Sequence, residues 1–88
     1  MNPYKEILRK FFSEYVSALR KRRGLTQEQM TEKLRITGRA YGDLKRGIYC
    51  FSAVALVFLL LMLEEGEIKE LLSPLWDEIE KVEGREVA

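Results

Sequence analysis

The chain has 88 residues, enough for one domain with one modest hydrophobic core. Hydrophobic residues make up 47% of it and charged residues 33%, a balance typical of a folded protein with a soluble surface. It has no histidine and one cysteine, so an internal disulfide is excluded and a zinc site or a histidine-based catalytic dyad is strongly disfavoured. We therefore expect no enzyme, and no metal, cofactor or small-molecule substrate. Because no basic and apolar leader opens the chain, we expect a cytoplasmic protein.

Charge is distributed unevenly along the chain. Residues 1–47 contain 12 Lys/Arg and 5 Asp/Glu, whereas residues 48–88 contain 3 and 9, although the whole chain carries only +1. A basic half favours phosphate as a partner, and the acidic half is expected to face away from it. The alternative is that these charges are the solvated faces of ordinary helices.

A long first helix is predicted from about Pro3 to Arg23. Its apolar residues recur at spacings of three and four and share one face: Tyr4, Ile7, Leu8, Phe11, Phe12, Tyr15, Val16 and Leu19. Asn2 is suited to cap this helix, Pro3 is favourable at its first position, and Gly24 ends it.

Two short helices joined by a tight turn are predicted next. Thr26 caps the first of them, which runs to Leu34. Thr37 caps the second, which runs to about Arg46, and Gly47 stops it. The turn between the two helices is the segment "RIT".

The next 16 residues, Ile48 to Leu63, carry no charge. A membrane span needs about 20 apolar residues, so a buried helix with Ser52 as its cap is predicted instead. A helix that is apolar on all sides must be covered on all sides. We expect the preceding helices to cover part of it, and the C-terminal segment or a second chain to cover the rest.

The C-terminal segment has an apolar side of its own, formed by Ile68, Leu71, Leu72, Leu75, Trp76, Ile79 and Val82. Because proline removes a helix hydrogen bond, Pro74 predicts two helices, at about Glu67 to Leu72 and about Pro74 to Val82. These helices, at about 67–83, are expected to cover the uncharged helix within a chain or across a dimer. A single domain over residues 1–83 would then be followed by a loose tail at 84–88.

From about Leu19 to Leu63 the chain resembles the phage repressor and Cro-type helix-turn-helix family, also called XRE-type. The matching text is "LRKRRGLTQEQMTEKL", then "IT" and "LKRG", followed by "SAVALVFLLLML" where that family places its fourth helix. The resemblance implies an all-α, lambda-repressor-like domain of five to six helices, with the helix-turn-helix at about 26–47. The long N-terminal helix and the C-terminal helices extend this domain.

The resemblance also implies residues that contact double-stranded DNA. Four of them stand at base-facing positions of the second helix of the motif: Gly38, Arg39, Ala40 and Asp43. Arg39 is the strongest candidate for reading a base, because arginine pairs bidentately with guanine. Six further residues are predicted to contact phosphate: Gln27, Thr37, Arg22, Arg23, Lys45 and Arg46.

The function that the resemblance implies is that of a sequence-specific DNA-binding regulator of transcription, repressor-like, that binds in the major groove. One recognition helix reads only a few base pairs, so a symmetric homodimer on two half-sites is expected. The uncharged helix, at 52–63, and the C-terminal helices are predicted to form the dimer interface.

A second hypothesis is a protein-interaction module, or an antitoxin-like partner protein, with a degenerate helix-turn-helix. Gly38 has no side chain to read a base, and Gly42 costs about 1 kcal/mol of helix stability relative to alanine. Asp43 repels phosphate unless it accepts a hydrogen bond from cytosine. Ile48 and Cys50 stand where that family often carries basic residues that bind the backbone. These departures favour a chain that has kept the helix-turn-helix fold but does not recognise a DNA sequence.

Three further expectations concern the surroundings of the motif. Tyr41 stands where that family usually buries an aliphatic residue, so we assign it to the core. Cys50 is interpreted as a small buried hydrophobe. Family members commonly pair the arginine matching Arg20 with a glutamate, but this chain has Lys45 there. Because two like charges are costly when buried, one of them is expected to swing out.

Overall fold

The structure is a computed structural model that describes residues 2–87, with the side chains of residues 2–84. Its regular elements are five α-helices: α1 Pro3–Arg22, α2 Gln27–Leu34, α3 Gly38–Lys45, α4 Ala53–Leu61 and α5 Glu65–Val87. No strand occurs within residues 2–87. The predicted all-α class is therefore confirmed.

Four of the helices begin at the predicted cap residues. In each case a side-chain oxygen accepts a backbone N–H two or three residues later, over 2.9 to 3.2 Å: Asn2 at α1, Thr26 at α2, Thr37 at α3 and Ser52 at α4. At α2 the side chain of Gln29 also accepts the backbone N–H of Thr26 at 2.9 Å, which completes a capping box. Local hydrogen bonds thus determine where these helices start.

The core is formed by the inner faces of all five helices. Its buried residues are Phe12, Val16 and Leu19 of α1, Met30 and Leu34 of α2, Tyr41 and Leu44 of α3, Leu59 of α4, Leu71 of α5, and Leu63 between the last two helices. Tyr41 is 3% exposed, so its assignment to the core is confirmed. Packing joins α1 to α3 and α5, and α2 to α3 and α4. The inner side of α3 is therefore held by α1 and α2.

The C-terminal segment is a single helix, so the predicted break at Pro74 is wrong. Helix α5 runs from Glu65 to Val87 with Pro74 inside it. On either side of the proline, Leu71 is buried and Leu75 is partly buried against the core. These apolar contacts offset the hydrogen bond that proline removes. The helix also continues past residue 83, where the loose tail was expected to begin, and Ala88 lies outside the described residues.

Helix α4 is covered on one side only. Ala55 and Leu59 are buried, whereas Val54, Val57 and Leu61 are 60%, 51% and 73% exposed. The expected cover on all sides is thus not provided by a single chain. None of the helices within residues 2–87 is both long and apolar enough to cross a membrane.

Gly42, in the middle of α3, lowers the stability of that helix. A Cβ atom at this position would meet only Nη1 of Arg46, at 3.6 Å, which is an ordinary van der Waals contact. We expect Gly42→Ala to raise the free energy of unfolding by about 0.5–1 kcal/mol, because alanine loses less conformational entropy in a helix. Urea denaturation followed by circular dichroism measures this change.

Gly47 provides the matched control for this substitution. Its backbone has a φ of +73°, a left-handed conformation that side chains other than glycine rarely adopt. Gly47→Ala should therefore destabilise the protein. A Gly42→Ala protein less stable than the wild type would show that α3 needs the glycine for a structural reason other than its helical conformation.

Candidate nucleic-acid interface

The four residues predicted to face bases lie along α3. Gly38 and Arg39 are exposed, and Ala40 and Asp43 are partly exposed. Apart from its chain neighbours and the backbone of its own helix, no heavy atom lies within 4 Å of a Cβ atom built on Gly38, so there is open space beside this position. The beginning of α3 therefore exposes one long cationic side chain, that of Arg39, between two small residues.

Gln27 and Thr37 occupy the starts of the two short helices. Gln27 is the first residue of α2 and is exposed, and Thr37 is the exposed cap of α3. The free N–H groups at a helix start attract anions, which is consistent with a phosphate at either position. Glu28 lies in the first turn of α2, where its carboxylate stabilises the helix and disfavours a phosphate.

Asp43 and Arg46 form an ion pair on the surface of α3. Nη2 of Arg46 donates to Oδ1 of Asp43 at 2.5 Å, and the two side chains are 63% and 30% exposed in that order. An exposed pair of this kind contributes little to stability. It does neutralise the carboxylate that would otherwise repel a phosphate, and it holds Arg46 against α3 rather than leaving it free.

Arg20 and Lys45 have different surroundings in the structure. Nη1 of Arg20 donates to the backbone oxygen of Leu25 at 2.9 Å, so Arg20 holds the turn after α1. The side chain of Lys45 is exposed, while its backbone oxygen accepts a hydrogen bond from Oγ of Ser13 at 2.5 Å. The end of α3 is thus joined to α1 through the backbone of Lys45, and its ammonium group remains available to solvent.

Arg22 and Arg23, which we predicted to contact phosphate, bind to α5 instead. Nη2 of Arg22 donates to Oε2 of Glu67 at 2.9 Å, and Nη2 of Arg23 donates to Oε1 of Glu67 and to the backbone oxygen of Met62. Oε1 of Glu67 also accepts the backbone N–H of Glu64 at 3.1 Å, at the start of α5. We call Arg22, Arg23 and Glu67 the Glu67 clasp. It joins the end of α1 to the beginning of α5.

The Glu67 clasp predicts a dependence of stability on pH. Hydrogen bonds from Arg23, from the backbone of Glu64 and from Arg22 lower the pKa of Glu67 from 4.5 to about 2. Because the folded-state pKa lies below the unfolded one, the clasp stabilises the fold above pH 4.5 and loses this effect as the pH falls towards 2. We expect Glu67→Gln to lower the melting temperature at neutral pH by a few degrees, and by progressively less in acid.

Thermal unfolding of both proteins, followed by circular dichroism over a range of pH, measures this difference. Glu70→Gln, at an exposed position of the same helix, is the control and should leave the melting temperature nearly unchanged. If the melting temperature of Glu67→Gln stayed equally far below that of the wild type at acidic pH, the ion pairs would not be the cause of the difference.

The segment after α3 offers apolar surface in place of phosphate contacts. Ile48 is 58% exposed, and Cys50 is partly buried against the core. Burial raises the pKa of the Cys50 thiol above its ordinary value. The hydroxyl of Tyr49 accepts the backbone N–H of Ser52 at 3.1 Å, so this residue supports the start of α4.

No family model matches the chain, and no curated protein or solved structure is significantly similar to it. What the chain does must therefore be argued from the geometry of its own residues. That geometry leaves Gln27, Thr37, Arg39 and Lys45 exposed on or beside α2 and α3, and it commits Arg22 and Arg23 to α5.

Proposed function

We propose that this protein is a sequence-specific DNA-binding regulator of transcription, repressor-like, acting in the cytoplasm. In this proposal α2 and α3 form a lambda-repressor-like helix-turn-helix, and α3 enters the major groove. The observation that carries it is the two-sided character of α3. Tyr41 and Leu44 are buried on one side, while Arg39 is exposed on the helix beside two small residues, Gly38 and Ala40.

Such a helix is suited to the major groove of double-stranded DNA. The groove is about 12 Å wide and admits an α-helix, and arginine reads guanine there through two parallel hydrogen bonds. Small residues beside Arg39 allow the backbone of α3 to approach the base edges closely. Asp43, neutralised by Arg46, does not oppose this approach.

Phosphate contacts are assigned to the residues around α3. Gln27 and Thr37 stand at helix starts, which bind anions through their N–H groups. Lys45 is exposed at the end of α3, whereas Arg46, which the resemblance also assigns to phosphate, is paired with Asp43. The basic first half of the chain adds a general attraction to DNA.

We propose that two copies act together as a homodimer on double-stranded DNA. One α3 contacts too few base pairs for useful specificity, so two copies are needed on half-sites about 34–36 Å apart.

A second candidate function, a protein-interaction module, is supported by one specific observation. Leu72 and Trp76 of α5 are 52% and 53% exposed on a helix rich in acidic residues. Exposed apolar side chains among charged ones are typical of surfaces that bind other proteins. This candidate makes no use of α3 and predicts no affinity for DNA.

Selection of bound duplexes from a random pool tests the main proposal and separates it from the second. We expect enrichment of a palindromic site. We also expect the logarithm of the association constant to fall linearly with the logarithm of the salt concentration. Binding without enrichment of any sequence would contradict specific readout. No binding to any duplex at low salt would overturn the proposal and leave the interaction module.

A further inference from the structure

Three aliphatic side chains form an exposed stripe on α4. Val54, Val57 and Leu61 are 60%, 51% and 73% exposed, and their spacing of three and four residues places them on one side of the helix. The stripe spans about 10 Å at a rise of 1.5 Å per residue. We propose that this stripe, which we call the α4 stripe, is the surface through which two copies of the chain associate, with their α4 helices antiparallel across a two-fold axis.

A charged group borders the α4 stripe on one side, as the polar rim of an interface does. Next to it on the helix lies Phe58, which is partly buried. The guanidinium of Arg35 stands 4.3 Å above the centre of the Phe58 ring. Arg35 is held there, because its Nη1 atom donates to the backbone oxygens of Glu32 and Lys33 at 3.1 Å. A fixed cation thus borders the apolar surface on that side.

The charges around the α4 stripe make it compatible with itself. A two-fold interface brings the same patch to both sides, so the patch must be self-complementary. No charged residue occurs between Ile48 and Leu63, and the carboxylates of Glu64 and Glu65 follow the helix. An antiparallel arrangement places these carboxylates near the start of the other α4, which is the positive end of its helix dipole.

Helix α5 exposes Leu72 and Trp76, yet it is not compatible with a second copy of itself. Residues 65–87 contain eight Asp/Glu and three Lys/Arg. Two such helices placed face to face would bring like charges together, which costs several kcal/mol in an interface. The association is therefore assigned to α4 and not, as the sequence predicted, to α4 and the C-terminal helices together.

The size of the α4 stripe predicts a weak dimer. A standard interface buries about 800 Å² per partner. Three aliphatic side chains, with the partly buried Phe58 next to them on the helix, form the centre of a smaller one, so association is expected at micromolar concentrations. The inference rests on the proposed function only because two half-sites require two copies. The association itself is measured without DNA.

Sedimentation equilibrium of the full chain, from low to high micromolar concentration, tests the inference. We expect the apparent mass to rise from 10.3 kDa towards twice that value. Leu61→Glu should raise the dissociation constant by roughly tenfold or more, because a carboxylate would be buried without a partner. Trp76→Glu, at an exposed position of α5, is the matched control and should leave the dissociation constant unchanged.

Three outcomes would overturn the α4 interface: a wild type that stays monomeric throughout, a Leu61→Glu protein that dimerises normally, or a dimer that is lost in Trp76→Glu instead. Circular dichroism checks that each variant is folded, and Val57→Lys replaces Leu61→Glu if the latter is not.

The failure of one proposal can be distinguished from the failure of the other. A dimer that binds no duplex contradicts only DNA binding, whereas operator binding by a Leu61→Glu protein that still dimerises contradicts only the α4 interface.

Discussion

Replacing Leu44 with alanine is expected to destabilise the protein by about 2–5 kcal/mol. Leu44 is fully buried on the inner side of α3, within the core formed with α1 and α2. Removing its side chain loses the transfer free energy of the missing carbon atoms and leaves a cavity that the surrounding helices fill only in part. A small domain has a total stability of about 5–15 kcal/mol, so the loss is a large share of it.

Urea denaturation followed by circular dichroism measures this loss, and Leu72→Ala is the matched control. Leu72 is 52% exposed on α5, so its truncation should change the free energy of unfolding by no more than about 0.5 kcal/mol. If the two variants proved equally stable, Leu44 would not be the residue that holds α3 against the core.

Replacing Arg39 with alanine is expected to weaken binding to the selected duplex by about 1–3 kcal/mol, with little change in binding to random duplex. Among the described side chains, Arg39 forms no salt bridge, unlike Arg46, which pairs with Asp43. Its guanidinium is therefore free to bind a base edge without breaking a contact within the protein. Gel shifts with both duplexes over a range of salt concentrations measure the two effects.

Lys45→Ala is the control for Arg39→Ala, because the exposed ammonium group of Lys45 is assigned to phosphate. This variant should weaken binding to all duplexes about equally. It should also reduce the slope of log association constant against log salt concentration by about one. If Arg39→Ala behaved in the same way, its base-reading role would be wrong and a phosphate role would replace it.

Much of the fold was predictable because its signals are local. A threonine or serine at a helix start binds a backbone N–H only three residues away, and apolar spacing along a helix identifies its inner side without knowledge of its neighbours. The starts of α2, α3 and α4 followed from such signals, whereas the assignment of Tyr41 to the core followed from the resemblance. The outward position of Arg39 on α3 was expected from the resemblance, and the structure shows this residue exposed.

The candidate site was predictable only in part, since the basic residues next to the motif differ in their partners. Arg22 and Arg23 appear in the sequence as free cations, but the carboxylate that binds them belongs to Glu67, more than forty residues away along the chain. Nothing in the pattern around Arg22 and Arg23 indicates that pairing. One signal was available, since Glu67 is the third residue of a helix that follows Glu64, a position from which a carboxylate commonly reaches back to the helix start.

The sequence by itself determined the helical class and the starts of most helices, because hydrogen bonds and periodicity within a few residues are sufficient for each. Only the tertiary structure decided that α5 continues through Pro74, that Glu67 binds Arg22 and Arg23, and that Val54, Val57 and Leu61 are left uncovered on α4. These features depend on which distant surfaces meet when the chain packs. A proline is tolerated where leucines on both sides of it pack against the core, and an apolar face stays exposed where no other helix reaches it.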